Sequence, residues 1–328
     1  MAFSLTSRVK TSIATGFSVF VVLILIVYMV PKPVLLAQRF FEPLGLVEVF
    51  LLAIYGSLVC YLLADERMQA KWRRRIWLVF SCWFFLQLLL GLIGLQEFLM
   101  TGVLHLPVPA MILGGPLYRG GGLFMPILFV STVVLAGPAW CSYLCYLGAW
   151  DLYLARLKRK PERMPRFRLA LQVASVFAVG LVALLLRFFG APSLLATMCG
   201  ACFGLVGVGI MILWSRKLGQ MVHCTAYCPI GLLATILGKL SFWRLKISDS
   251  CSDCGACTFA CRYDALRPED IKNRRVGLSC TLCGDCIRTC KARSIEYSWL
   301  WFNGYNARLA FVAVISTLHA VFFGVARI

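Results

Sequence analysis

The sequence predicts an α-helical polytopic membrane protein of about seven transmembrane helices, with one small polar α+β domain inserted before the last of them. Three observations predict it. Of 328 residues, 60% are hydrophobic and only 14% charged, whereas a soluble domain has about a quarter of its residues charged. Charge-free runs of spanning length recur along the chain, and the single extended polar stretch carries eight of the 16 cysteines in two short clusters. This composition excludes a disordered chain and a secreted disulfide scaffold. The excess of 33 basic over 14 acidic residues needs either a polyanionic partner or a membrane orientation.

The spans follow in order. The runs are Thr11 to Pro31, Leu44 to Ala64 (interrupted by Glu48), Ile76 to Gln96, Gly120 to Trp150, Leu169 to Leu186, Phe188 to Ser215 and Leu309 to Ala326. Each reaches the roughly 17 to 25 residues that a crossing helix needs. The first follows Arg8 and Lys10 like a signal peptide, but no small-residue cleavage site follows Pro31, so it reads as a retained helix. With the amino terminus inside, Lys32, Arg39, Arg119, Arg187 and Arg327 fall outside and the other 28 of 33 basic residues inside. Positive charge retained on the cytoplasmic side accounts for that bias without nucleic acid. The expected location is the bacterial cytoplasmic (inner) membrane, with the N-terminus cytoplasmic and the C-terminus periplasmic.

The chain therefore divides into residues 1–241, a membrane bundle of six spans; residues 242–299, a polar cytoplasmic domain; and residues 300–328, the last span. The polar domain holds ten Lys or Arg and seven Asp or Glu. Its side depends on Leu218 to Gly238, which is charge-free and long enough to cross. Gly219, His223, Thr225, Tyr227 and Pro229 make that run a poor lipid-facing helix, and crossing would carry the basic domain outside. It is expected to be interfacial or re-entrant.

Within the polar domain, Cys251-x2-Cys254-x2-Cys257-x3-Cys261 is repeated as Cys280-x2-Cys283-x2-Cys286-x3-Cys290. This is the spacing of bacterial-type two-cluster ferredoxins, in which three thiolates of one loop and the fourth cysteine of the other hold each cubane. The expected ligand sets are Cys251, Cys254, Cys257 and Cys290 for one [4Fe-4S] cluster, and Cys280, Cys283, Cys286 and Cys261 for the second. Zinc ribbons also use C-x2-C pairs, but four cysteines at x2, x2, x3, occurring twice, fit tetrahedral zinc badly. Arg262 and Lys291 stand where proline usually follows the fourth cysteine, and cationic neighbours raise a cluster's potential.

A second repeat lies at the inner ends of spans. Cys141-Ser-Tyr-Leu-Cys145-Tyr-Leu-Gly148 matches Cys224-Thr-Ala-Tyr-Cys228-Pro-Ile-Gly231. On a helix, cysteines at i and i+4 share a face, so two copies could converge Cys141, Cys145, Cys224 and Cys228 on a third iron-sulfur or metal centre. Simple packing of small apolar thiols is the competing explanation. Cys199 and Cys202 in the sixth span, and the single Cys60 and Cys82, read as packing residues.

Two C-x3-C motifs at the ends of transmembrane helices, followed by a double cubane cassette, resemble the NapH/MauN-type membrane polyferredoxin family and the membrane and ferredoxin part of NosR. Tyr146 stands where that family usually has proline, while Cys228-Pro229 keeps it. The resemblance implies an electron-transfer subunit of a quinol dehydrogenase-type complex, or an accessory or maturation factor for a respiratory or periplasmic redox enzyme. It implies the membrane quinone pool and a protein redox partner in a multi-subunit complex.

For a quinone, the outer ends of the spans offer Glu97, His105 and His319 as a candidate pocket, with Glu48 and Arg119 nearby, because ionisable groups in a membrane are expensive and often functional. Haem is not expected, since the three histidines supply only His105 and His319 toward the outer side. Redox sensing is the alternative to electron transfer. Nothing in the sequence supplies a nucleophile or phosphate loop.

Overall fold

A computed structural model describes residues 2–99 and 106–325. Among them are seven helices long and apolar enough to cross a membrane: Leu5–Met29, Leu44–Leu63, Gln69–Leu92, Phe124–Tyr143, Arg168–Phe188, Ser193–Leu218 and Gly304–Val325. Each coincides with an expected run. The third starts earlier than its charge-free stretch because the helix continues through Arg73, Arg74 and Arg75; a charge ends an apolar run but leaves backbone hydrogen bonding intact. The outward faces are apolar, with Phe17, Phe177 and Leu205 exposed, the inverse of a soluble surface. Such a fold is compatible with a multi-pass membrane protein.

Leu218 to Gly238 contains no helix of spanning length. It is divided into a π-helical turn His223–Tyr227 and a nine-residue helix Pro229–Leu237. The break falls at Cys228, whose backbone is extended (φ −68°, ψ 119°), because a residue preceding proline is driven out of the helical region.

The chain forms two compact units: residues 1–105 with 296–328, and residues 106–295. In the first, the last span packs with the first and second. Their core is built from Val19, Leu23, Val49, Leu52, Ala53, Ala320 and Val321. Arg308 is buried at the inner end of the last span. It donates to the terminal carbonyls of Leu63 and Ala64 and to Gln69 Oε1, each at 3.0 Å, so one guanidinium satisfies the C-terminus of the second span and ties it to the third. Strand β2 (Ile295–Trp299) pairs antiparallel with β3 (Phe302–Asn303), in the register Ser298 to Asn303, and leads into the last span.

The second unit holds the fourth to sixth spans and, in one body with them, strand β1 (Trp243–Ile247) and both cysteine loops. The polar segment is anchored directly: Trp243 Nε1 donates to Leu135 O at 2.8 Å, at the end of the fourth span.

Candidate iron-sulfur centres

The two ferredoxin motifs fold alike. Residues with left-handed backbone occur as the pairs Asp253 and Leu282, Gly255 and Gly284, and Asp264 and Arg293, each at the same interval as Cys251 and Cys280. In each motif the third cysteine lies on a five-residue helix, Ala256–Ala260 or Asp285–Thr289. The fourth follows in extended backbone, Cys261 at ψ 112° and Cys290 at ψ 103°. Each fourth sulfur then accepts a backbone N–H, from Ala265 at 3.4 Å and from Ser294 at 3.3 Å. N–H groups aimed at sulfur favour the thiolate and help set a cluster's potential.

The fourth cysteines cross over. Cys290 joins Cys251, Cys254 and Cys257 around one cavity that Ile247, Ile271 and Ile295 also line. Burial pushes the Cys257 thiol up to about 11, and Cys251 and Cys290 add to the rise. Burial likewise raises Cys286 well above the ordinary thiol value, with Cys283, Cys280 and Cys261 adding to it. Thiols that oppose one another's ionisation in this way must stand close together. Among the described residues, no group of three or more His, Cys, Asp or Glu closes on a single-ion position. Cys251, Cys254, Cys257 and Cys290 surround a space, and in both sets the donor chemistry and the backbone N–H groups fit a cubane.

The C-x3-C copies also converge, though not as a helix face. The first helix of the fourth span stops at Ala136, and Gly137 (φ 65°, ψ −157°) takes a backbone that only glycine occupies easily. A 3-10 turn and the short helix Trp140–Tyr143 then carry Cys141. Cys145 is extended (φ −76°, ψ 114°) and precedes the helix Tyr146–Ala155. Cys228 has the same place before Pro229–Leu237. The expectation that each pair shares one helical face is therefore corrected: the helix breaks between them, and the second cysteine of each copy caps a new helix. Unpaired N–H groups at a helix start favour a thiolate. Burial pushes Cys145 up to about 11 and Cys228 to about 12, with the backbone N–H groups of Leu147 and Gly148, and of Ile230 and Gly231, working against the rise. Tyr146 takes proline's place at the first helical position after Cys145, as Pro229 does after Cys228.

Burial raises Cys224 well above the ordinary thiol value, and Asp151, Cys145, Cys228 and Cys141 all add to it. Cys141 and Cys224 line one cavity of about 80 Å³. The supporting residues lie outside the motifs. Asp151 Oδ2 accepts the Cys224 N–H at 3.0 Å, and burial pushes that carboxyl up to about 6, against hydrogen bonds from Ser215 and Cys224. Ser215 reaches it from a π-helical turn, Met211–Ser215, in the sixth span. Gln172 donates through one Nε2 to the carbonyls of Cys224 and Cys228, at 3.0 and 3.1 Å. Sequence reasoning missed both; the usable signal was a carboxylate and an amide embedded in otherwise apolar runs.

The boundary set and the second ferredoxin loop are laced together. Ser142 Oγ donates to Thr281 O at 2.8 Å and Tyr143 Oη to Cys283 O at 3.2 Å. Arg168 donates to Tyr263 O, Asp264 O and Ser279 Oγ at 3.1 to 3.3 Å. These bonds join span ends to the chain around Cys280 and Cys283 and to the residues that follow Cys261.

Of the candidate quinone residues, His319 and Glu97 are described. His319 is buried in the last span with the Tyr55 hydroxyl 3.0 Å from its Nε2. Glu97 is exposed in a 3-10 turn, Gln96–Phe98. His105 lies outside the described residues. Cys60 is buried in the first unit, while Cys82 and Cys202 are exposed.

These features define an iron-sulfur protein of helical polytopic architecture. A family model described as a 4Fe-4S binding domain matches residues 118–164, the stretch that contains Cys141 and Cys145. The chain is similar to the methylamine utilization ferredoxin-type protein MauN of Paracoccus denitrificans, at 25% identity over 53% of this chain and 63% of that protein. It is also similar to an uncharacterised protein of Methanocaldococcus jannaschii, at 23% identity over 41% of this chain and 62% of the relative. The matched regions thus span less than two thirds of these curated relatives. No solved structure matches. By these matches the chain is similar to ferredoxin-type proteins and carries a 4Fe-4S binding domain.

Proposed function

We propose that this chain is a membrane-bound, quinol-linked electron carrier with two cytoplasmic [4Fe-4S] clusters and a third centre at the membrane boundary. It would pass electrons to or from a protein redox partner within a larger complex. The observation that carries the reading is the continuity of the cysteine sets. The loop of Cys280 and Cys283 is hydrogen-bonded to the turn that holds Cys141 and Cys145, and its partner loop supplies Cys261.

In this reading Cys251, Cys254, Cys257 and Cys290 hold the outermost cluster, Cys280, Cys283, Cys286 and Cys261 the next, and Cys141, Cys145, Cys224 and Cys228 the boundary centre. Bound clusters supply one-electron transfer. The protein holds the thiolates at fixed spacing, directs backbone N–H groups at them and excludes water. Asp151 and Gln172 hold the Cys224 turn. Arg262 is buried behind Cys261, donating to Gly219 O at 2.7 Å and Arg159 O at 3.0 Å, and its fixed charge favours the reduced state of the adjacent centre. The basic bias supports a cytoplasmic cassette in an inner membrane.

Iron analysis and potentiometric EPR on anaerobically purified protein test the proposal. About twelve iron atoms per chain are expected with the boundary centre, and about eight with the two ferredoxin cubanes alone. Addition of a quinol should reduce the clusters. Clusters that titrate normally with dithionite yet never exchange electrons with quinol would sink the quinol link and favour the redox-sensing or maturation reading.

A further inference from the structure

The first unit contains a cavity of about 240 Å³ in the outer half of its bundle, between the second, third and last spans. Three features make it more than a packing gap. Its walls are aromatic: Trp83 and Phe323 stack with centroids 6.0 Å apart and planes at 19°, and Tyr55 lies 5.1 Å from Phe323. The Tyr55 hydroxyl is fixed by His319 behind it, at 3.0 Å from Nε2. Gln87 lines the cavity at 2% exposure, with its Oε1 lacking a hydrogen-bond partner among the described residues.

An unpaired buried amide oxygen carries an uncompensated desolvation cost, and no bulk water is available within a bilayer to relieve it. A ligand that both stacks on aromatic rings and presents a hydrogen-bond donor relieves that cost. The ligand must also arrive through lipid, and Leu51 at the cavity wall is exposed on the helix surface. An apolar cavity of about 150 Å³ holds a benzene ring, so this one has room for a ring with oxygen substituents. The geometry points to a binding site for the ring of a quinone or hydroquinone, with Tyr55 and Gln87 as its polar contacts, Trp83 and Phe323 among its walls, and Glu48, whose Oε2 accepts the Ala37 N–H at 2.6 Å, as a further polar residue of the lining. Gln87 Oε1 accepts a hydroquinone O–H. The Tyr55 hydroxyl, oriented by His319, meets an oxygen of the ring. The site rests on the quinol link proposed above and relocates it away from Glu97.

The test is anaerobic calorimetric titration of the dithionite-reduced full chain in nanodiscs with duroquinol, alongside durene, the same tetramethyl ring without oxygens. Wild type should bind duroquinol more tightly than durene. Gln87→Leu and Tyr55→Phe should each weaken duroquinol binding about tenfold at unchanged iron content. Leu51→Trp, placed on the exposed helix surface where folding is least disturbed, should fill the rim and abolish it. Equal affinity for the two rings, or unchanged binding in all three variants, would overturn the site. Cluster reduction by duroquinol separates the two proposals: binding without reduction sinks the quinol link alone, and wild-type reduction in every variant sinks the cavity alone.

Discussion

Single side chains do most of the work where the spans meet the cysteine loops. Asp264 is the clearest case. Its carboxylate is almost fully buried and bridges Arg168 at 3.1 Å and Arg267 at 2.5 Å, joining the fifth span to the loop between the ferredoxin motifs. Its backbone is left-handed, φ 50°, a conformation that Asn also tolerates, so Asp264→Asn removes the charge with little added strain. Neutralising one member of a buried ion pair leaves its partners uncompensated, at a cost of about 3 kcal/mol. The variant should therefore lose its cluster absorbance on heating at a clearly lower temperature than wild type. An unchanged midpoint would mean that the two arginines find other partners. Gln172 and Asp151 belong with Asp264: each satisfies backbone atoms around Cys224, and neither is recognisable from cysteine spacing.

The repeated element is a broken helix whose break holds a thiol. In both C-x3-C copies a short turn carries the first cysteine, the second sits in extended backbone, and a new helix starts beside it. The glycine of the motif has a steric reason in the second copy. A Cβ on Gly231 would lie 2.4 Å from Cys224 O and 3.0 Å from Gln172 Nε2, so the turn and the helix can approach only without a side chain. Gly231→Ala should displace the Cys224 turn and lower iron by about four atoms per chain, while EPR signals of the two ferredoxin cubanes persist. Full iron retention would show that the turn tolerates the shift. The spacing of the motif was readable in the sequence, but its geometry was not. A uniform helix and a helix broken at Cys228 have the same residue intervals, and in the first copy Tyr146 carries no proline to announce the break.

The whole chain is two helical units, and the distribution of charge predicts how they lie in the membrane. Alkaline phosphatase fused after Gly122 should be active and after Lys160 inactive, because that enzyme folds to its active form only outside the cytoplasm; the reverse pattern would invert the proposed orientation. All seven spans were legible, since a long charge-free run can satisfy its backbone in lipid only as a helix. Both ferredoxin motifs were legible too, since cluster ligation constrains spacing over a few residues. The partition into units was not legible. The last span follows the cassette in sequence but packs with the first two spans, through Ala320 and Val321 against Val19 and Val49, and the cassette belongs with the fourth to sixth. Sequence alone determined the number of spans, the cysteine ligand types and the charge bias, because each is a property of local runs. Only the tertiary structure decided that the helix breaks between the cysteines of each C-x3-C copy, that Asp151 and Gln172 hold the Cys224 turn, and that Gln87 and Tyr55 line one cavity. The residues that meet are distant along the chain, and their approach is set by helix packing, which leaves no periodic mark in the sequence.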